Sequence, residues 1–419
     1  MTIQEYLDKS ISTFHAVKIS KNILEKAGYA ELAIDDNWNL EQGKGYFISP
    51  YPSSLYAFYV GNNNVRMIAG HTDYPVLKLK PAPSINRQKN IVANVESYGG
   101  MILNTWFDRP LGLAGKVICK GSDPFNPIVH LYDSKTPLAV IPSLAIHMNR
   151  DVNKKNELNV QEHLLPLIAM GDEDNTDVLI KYIANDLGID IEEILDFDLV
   201  FYNMDKPTLI GLNEEFLVSP RLDNLTSCYC CVEAMSKKNG GSTAVMALFD
   251  NEEIGSRTKQ GADSTLLKMI IEKLLKNHPI NAENDVLTME SLVNKGFFVS
   301  LDVAHAYHPN YSSKSDITTK TIMGNGVVLK ISGSQRYNSD SYSNGVVKGL
   351  CKESNIPLQM QINNSNIAGG TTLGPIVSSY LPVYGTDMGV AVLAMHSACE
   401  TCALKDIESL GEFTKVFIQ

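Results

Sequence analysis

The sequence predicts an α/β fold: a helix-covered mixed β-sheet built from both ends of the chain and interrupted by an inserted β-rich segment. Three observations point there. The apolar runs "TAVMALF" (243–249) and "GFFVSL" (296–301) are continuous, as in strands buried on both faces. From Ser219 onward such runs alternate with helical segments, the pattern of a sheet covered by helices. Finally, 419 residues with 44% apolar content exceed one ordinary core. Two domains are expected, one from 1–81 with 219–419, the other from 82–218.

Taken in order, Ile3, Leu7, Ile11 and Phe14 recur at helical spacing, and a second helix from about Val17 ends at Gly28, where a left-handed cap is wanted. "YAFYV" (56–60) reads as a strand and "GNNN" (61–64) as a turn. "VRMIAGHTDYP" (65–75) is a strand that delivers His71 and Asp73 at its carboxyl end, and "KLKPAPS" (78–84) is expected to break the pattern. Within the insert, "LAGKVIC", "PIVHLY" and "TPLAVIPSLAIHM" read as short strands, followed by an acidic helical piece and "FDLVFYNM". There are no internal repeats or low-complexity tracts.

A net charge of −11 argues against nucleic acid or an anionic membrane as partner, since either needs a basic patch. No stretch approaches 18 uninterrupted apolar residues and the N-terminus has no basic start before an apolar block, so no membrane association and a cytoplasmic location are expected. Seven cysteines, an odd number at irregular spacing, fit reduced thiols better than a disulfide framework. The one CxxC pair, Cys399 and Cys402, reads as two core positions on consecutive helical turns.

The chemistry lies where apolar runs end. "TAVMALF" ends at Asp250, Asn251, Glu252 and Glu253, "GFFVSL" at Asp302, "GVAVLAM" at His396, and "VRMIA" just before His71. Ligands of open α/β sheets gather at the carboxyl ends of strands, so these side chains are expected to converge. Between them, Asp223 in "SPRLDNL" sits just before a helical stretch, where an N-cap carboxylate would be unremarkable. In isolation an Asp-Glu-Glu cluster is a solvated turn and a lone His at a strand end carries no weight. As a set, two His and three carboxylates are ligands for a pair of borderline divalent cations, with one adjacent carboxylate left over. Glu253 then binds metal and Glu252 takes the proton from water.

The blocks "AGHTDYPVLKLKP", "IPSLAIHMNR", "SPRLDNL", "FDNEEIGS", "LDVAHAYHPNY", "GVVLKISGSQRY", "GGTTLGP" and "AMHS", in that order over about residues 10 to 400, resemble the aspartyl aminopeptidases, di-zinc metallopeptidases that assemble as tetrahedral dodecamers. The resemblance implies that His71, Asp223 and Asp302 hold one metal, that Asp223, Glu253 and His396 hold the other, and that Asp73 orients the His71 imidazole. It makes the 82–218 insert a dimerisation domain. It also implies that His305, Lys330 and Tyr337 line the pocket for the first side chain, with Lys330 reading an N-terminal Asp or Glu. His147 would reach the neighbouring subunit's site and contact substrate there. On its own residues, Lys330 would snorkel to water and His147 would be a satisfied core or interface residue.

The expected partners are therefore peptides with a free N-terminus and further copies of this chain, as dimers built into a dodecamer. The expected cofactors are two divalent ions per subunit, zinc first, with manganese or cobalt as alternatives. Three positions depart from the family pattern: Tyr74 replaces a small polar residue, Ser315 a His, and Cys399 an Arg. Tyr74 and Ser315 are expected near the substrate opening, which bears on acidic selectivity. The rivals are a broader di-metal aminopeptidase of the same fold and a self-assembling particle with secondary chemistry; loss of Glu252 or a ligand would have favoured the second, and all are present.

Overall fold

The computed structural model describes residues 1–171, 177–283, 287–367 and 369–419. The chain divides into two compact units, one formed by Met1–Asp73, Pro207–Met395 and Glu400–Gln419, the other by Tyr74–Lys206 and His396–Cys399.

The first unit is built on a nine-stranded mixed sheet. At its centre the strand Asn62–His71 runs parallel to Ser242–Phe249 on one side and to Gly296–Leu301 on the other, and Gly296–Leu301 is parallel to Tyr384–Gly389. Antiparallel strands flank this centre, Leu55–Tyr59 beside Ser242–Phe249 and Val327–Lys330 beside Tyr384–Gly389. Ser242–Phe249 and Gly296–Leu301 are buried at every position, as continuous apolar runs require when helices cover both faces. One face packs on Leu222–Ser236 and Leu404–Ile418, the other on Leu266–Lys276. A five-stranded sheet, ordered Thr208–Ile210, Phe216–Ser219, Glu400–Ala403, Ala391–Leu393 and Ala304–His305, belongs to the same unit.

At the N-terminus the apolar spacing is split into two helices, Ile3–Lys9 and Thr13–Lys26, because Ser12 caps the second through the His15 amide. That helix ends as expected, with Gly28 at φ +86°.

The second unit carries a six-stranded antiparallel sheet. Here the structure corrects three expectations. "KLKPAPS" does not end a strand: Val76–Arg87 continues through it, and Pro81 and Pro83 fall where the ladder with Asn90–Tyr98 slips between Leu79 and Ser84, so their missing donors cost nothing. The compact unit accordingly begins at Tyr74 rather than near 82 and ends at Lys206 rather than 218, because Thr208–Ile210 and Phe216–Ser219 pair within the first unit. "TPLAVIPSLAIHM" makes only isolated bridges at Ala139 and Val140 and then leaves regular structure. Tyr74 is buried in this unit's core.

All seven cysteines are free thiols. Cys402 lies in the strand Glu400–Ala403, with Cys399 immediately before it, so the pair is not on helical turns. Among the described residues no helix is long and apolar enough to cross a membrane.

Candidate metal centre

Three parallel strands set the site. His71 is the last residue of Asn62–His71 and lies in register with Phe249, so the turn after Phe249 starts beside it. On the other side, Leu301 ends its strand and hands Asp302 to the same edge. Asp223 comes from the first turn of Leu222–Ser236, a position with non-helical backbone (φ −77°, ψ 108°). His71 is 1% exposed and Asp223 4%. Among the described residues, His71, Asp223 and Glu253 offer ligand atoms that all lie within 4.8 Å of one another. Asp302 Oδ1 stands 3.6 Å from His71 Nε2, and Glu252 Oε2 stands 4.0 Å from it.

The stretch 249–256 forms a tight turn beside these side chains. Asn251 and Gly255 both take left-handed backbone (φ +63° and +98°) around a short 3-10 turn over Glu252–Ile254. Asp73 holds that turn: its Oδ1 accepts from the Glu252 amide at 3.2 Å and its Oδ2 from the Glu253 amide at 3.1 Å. Meanwhile His71 Nδ1 lies 3.0 Å from the Asp73 carbonyl and 3.4 Å from its carboxylate. The ring is thus oriented by the Asp73 backbone, leaving the Nε2 lone pair toward the carboxylates. Buried Asp250 accepts from the Asn251 amide at 2.8 Å and secures the turn's start.

This donor set fits a divalent cation. His71 Nε2 is buried and makes no hydrogen bond among the described residues. Asp223 Oδ1 and Asp302 Oδ1 each stand 3.6 Å from it, too far for a hydrogen bond. Two ligands of one tetrahedral zinc, with metal–ligand lengths of about 2.0 Å, lie roughly 3.3 Å apart. Burial opposes a charged imidazole, yet Asp302 and Asp73 outweigh it and raise the His71 pKa well above its ordinary value. For Glu252, burial and then the carboxylates of Asp302, Asp73 and Asp223 outweigh His71 and push its carboxyl up. Nitrogen and carboxylate together favour positive charge at one point.

The remaining predicted positions are distributed differently. Lys330 is 2% exposed; its Nζ lies 3.2 Å from Asp302 Oδ2 and 5.5 Å from the centre of the Tyr337 ring. His305 is exposed on Ala304–His305 and lines a cleft of about 370 Å³ with Tyr307, His308, Lys314, Ser315 and Asn363. Neither Lys330 nor Tyr337 lines that cleft. His396 belongs to the second unit, with its Nδ1 2.8 Å from the Gly100 carbonyl. The run expected to deliver it is split: Gly389 ends a strand of the large sheet and Ala391–Leu393 joins the five-stranded one. His147 sits in an exposed turn rather than a strand. One carboxylate had no signal in the sequence: Glu400, 2% exposed, accepts from the Asp223 amide at 2.9 Å. An acidic residue in "CETCA" reads like any strand position facing water.

Residues 6–418 match the model of the family described as aminopeptidase I zinc metalloproteases, M18. The chain belongs to the M18 aminopeptidase family. A probable M18 family aminopeptidase 2 of Clostridium novyi is 41% identical over 411 residues, spanning 96% of this chain and 94% of the relative. Its counterpart in Pseudomonas savastanoi is 36% identical over 422 residues, 99% and 96% of the two chains. Among solved structures, Ape4 from its cryo-EM complex with Nbr1 superposes with TM-score 0.93 at 32% identity, over 99% of this chain and 84% of that one. The M18 aminopeptidase of Thermotoga maritima shares the fold, with TM-score 0.85 at 19% identity over 99% and 94%. As an M18 enzyme, the chain is a metallo-aminopeptidase that hydrolyses peptides from the N-terminus.

Proposed function

We propose that this aminopeptidase works with two metal ions and prefers N-terminal Asp or Glu. His71, Asp223 and Asp302 hold one ion; Asp223 and Glu253 hold the second, with His396, carried by the family motif, as its further ligand. The observation that carries the reading is the clustering of His71, Asp223 and Glu253 ligand atoms within 4.8 Å, with Glu252 beside them. Zinc, or manganese or cobalt in its place, supplies Lewis acidity to the scissile carbonyl and to the attacking water. Glu252 Oε2 removes a proton from water as its oxygen adds to the carbonyl carbon, and returns it to the leaving amine as the C–N bond breaks. Asp73 fixes both actors, the His71 ring through its carbonyl and the Glu252 turn through its carboxylate.

His305, Lys330 and Tyr337 receive the first side chain in this reading. A second reading, broader specificity on the same machinery, has one observation in its favour: the Lys330 ammonium is buried against Asp302. The yeast enzyme mApe1 is described as a dodecamer, and a homo-oligomer built from dimers, located in the cytoplasm, is proposed here. Leu144, Ile146 and Met148, exposed on either side of His147, suit a face covered by a second copy.

The test is hydrolysis of Asp-, Glu-, Leu- and Lys-linked chromogenic amides, with free and blocked N-termini, before and after metal removal. The proposal expects turnover only with metal and a free amine, fastest for Asp and Glu. Equal rates on Leu would select the broader reading.

A further inference from the structure

We infer that Glu400 is a positioning residue for the metal centre, fixing Asp223 by accepting its backbone amide. This rests on Asp223 being a ligand. Asp223 lies in the first turn of Leu222–Ser236, where backbone amides have no partner within the helix. Glu400 reaches that amide from another element, the strand Glu400–Ala403, whose register places it opposite Ser219, four residues before Asp223. The contact is short (2.9 Å), charge-assisted and between groups 2% and 4% exposed.

The surroundings explain why an outside acceptor is needed. Arg221 enters the helix in left-handed backbone (φ +64°), and Asp223 and Asn224 both depart from helical angles. Regular helical geometry is therefore lost where Asp223 sits. Two side-chain contacts fix this stretch: Glu400 takes the Asp223 amide, and Asn224 Nδ2 donates to the Leu301 carbonyl at 2.8 Å, next to Asp302. A ligand whose main chain is pinned this way presents its carboxylate without an ordering cost when metal binds. Because Asp223 is assigned to both ions, slackening it weakens the whole centre.

Two substitutions separate reach from charge. Glu400→Gln keeps the length and an acceptor oxygen while removing the charge. Glu400→Asp keeps the charge but withdraws it by about 1.5 Å, one C–C bond. Zinc affinity of the metal-free protein is read by competition with a chromophoric chelator, alongside its thermal midpoint without metal and with Asp223→Asn as control. E400Q should bind zinc nearly as tightly as the parent. E400D should bind on the order of 10- to 100-fold more weakly, the usual effect of losing a supporting contact. Parent-like affinity in E400D, or equal weakening in both variants, overturns the inference. So does a lowered metal-free midpoint with unchanged affinity, which would make Glu400 a fold element only. Full zinc affinity in D223N would instead overturn the ligand assignment beneath it.

Discussion

At Glu252 the structure holds a carboxylate 4.0 Å from His71 Nε2, on a turn whose amides are clamped by Asp73. Glu252→Gln preserves that shape but cannot take a proton from water. It should keep its full metal content and lose about 100- to 10,000-fold in kcat; near-normal turnover in the metal-loaded variant would remove Glu252 from the chemistry. Lys330 divides the two specificity readings. If it reads the substrate, Lys330→Ala leaves an acidic side chain without a counter-charge, costing about 2 to 4 kcal/mol, or about 30- to 1000-fold in kcat/KM, for Asp substrates and little for Leu. An equal drop for both would assign its ammonium to Asp302, its partner at 3.2 Å. These identities were legible as residue types at run ends. The contacts that tune them were not, because Asp73 acts on a turn 179 residues away.

At the scale of elements, the strand Tyr384–Gly389 supports Asp302 from beneath. A Cβ added at Gly389 would lie 1.7 Å from the Asp302 carbonyl oxygen, and main chain cannot yield as a side chain can. Gly389→Ala should therefore shift Asp302, weaken metal binding and destabilise the fold by roughly 1 to 3 kcal/mol. Denaturant unfolding of the metal-free protein and a zinc titration check the two effects separately; parent-like values in both would mean the strands separate freely. Element boundaries were less readable than element types. The Pro81 and Pro83 pair reads as a stop, yet the strand passes through it, because a bulge accepts residues that cannot donate.

At the scale of the whole molecule, the question is whether one subunit completes another's site. His147 lies in an exposed turn among Leu144, Ile146 and Met148. If it serves a neighbour, His147→Ala and Glu252→Gln subunits, each inactive alone, should regain partial activity on mixing, in proportion to hybrid assembly measured by mass. A fully active His147→Ala enzyme, or verified exchange without recovery, would end that idea.

The sequence by itself determined the strand ends of the large sheet and the polar residue types that stand there, since continuous apolar runs must be buried and must release polar residues at their ends. Three of those runs do form parallel neighbours, and His71, Asp302 and the 250–253 turn meet at one edge. Tertiary structure alone decided the supports: Asp73 under Glu252 and Glu253, Glu400 on the Asp223 amide, Lys330 on Asp302. It also decided that "GVAVLAM" serves two sheets and that "TPLAVIPSLAIHM" is not a strand run. The reason is the same throughout. Periodicity records which face of a segment is buried, whereas hydrogen-bond partners and sheet membership depend on segments far apart in sequence, here by 28 residues for Lys330 and Asp302 and by 179 for Asp73 and Glu252, and no local pattern encodes them.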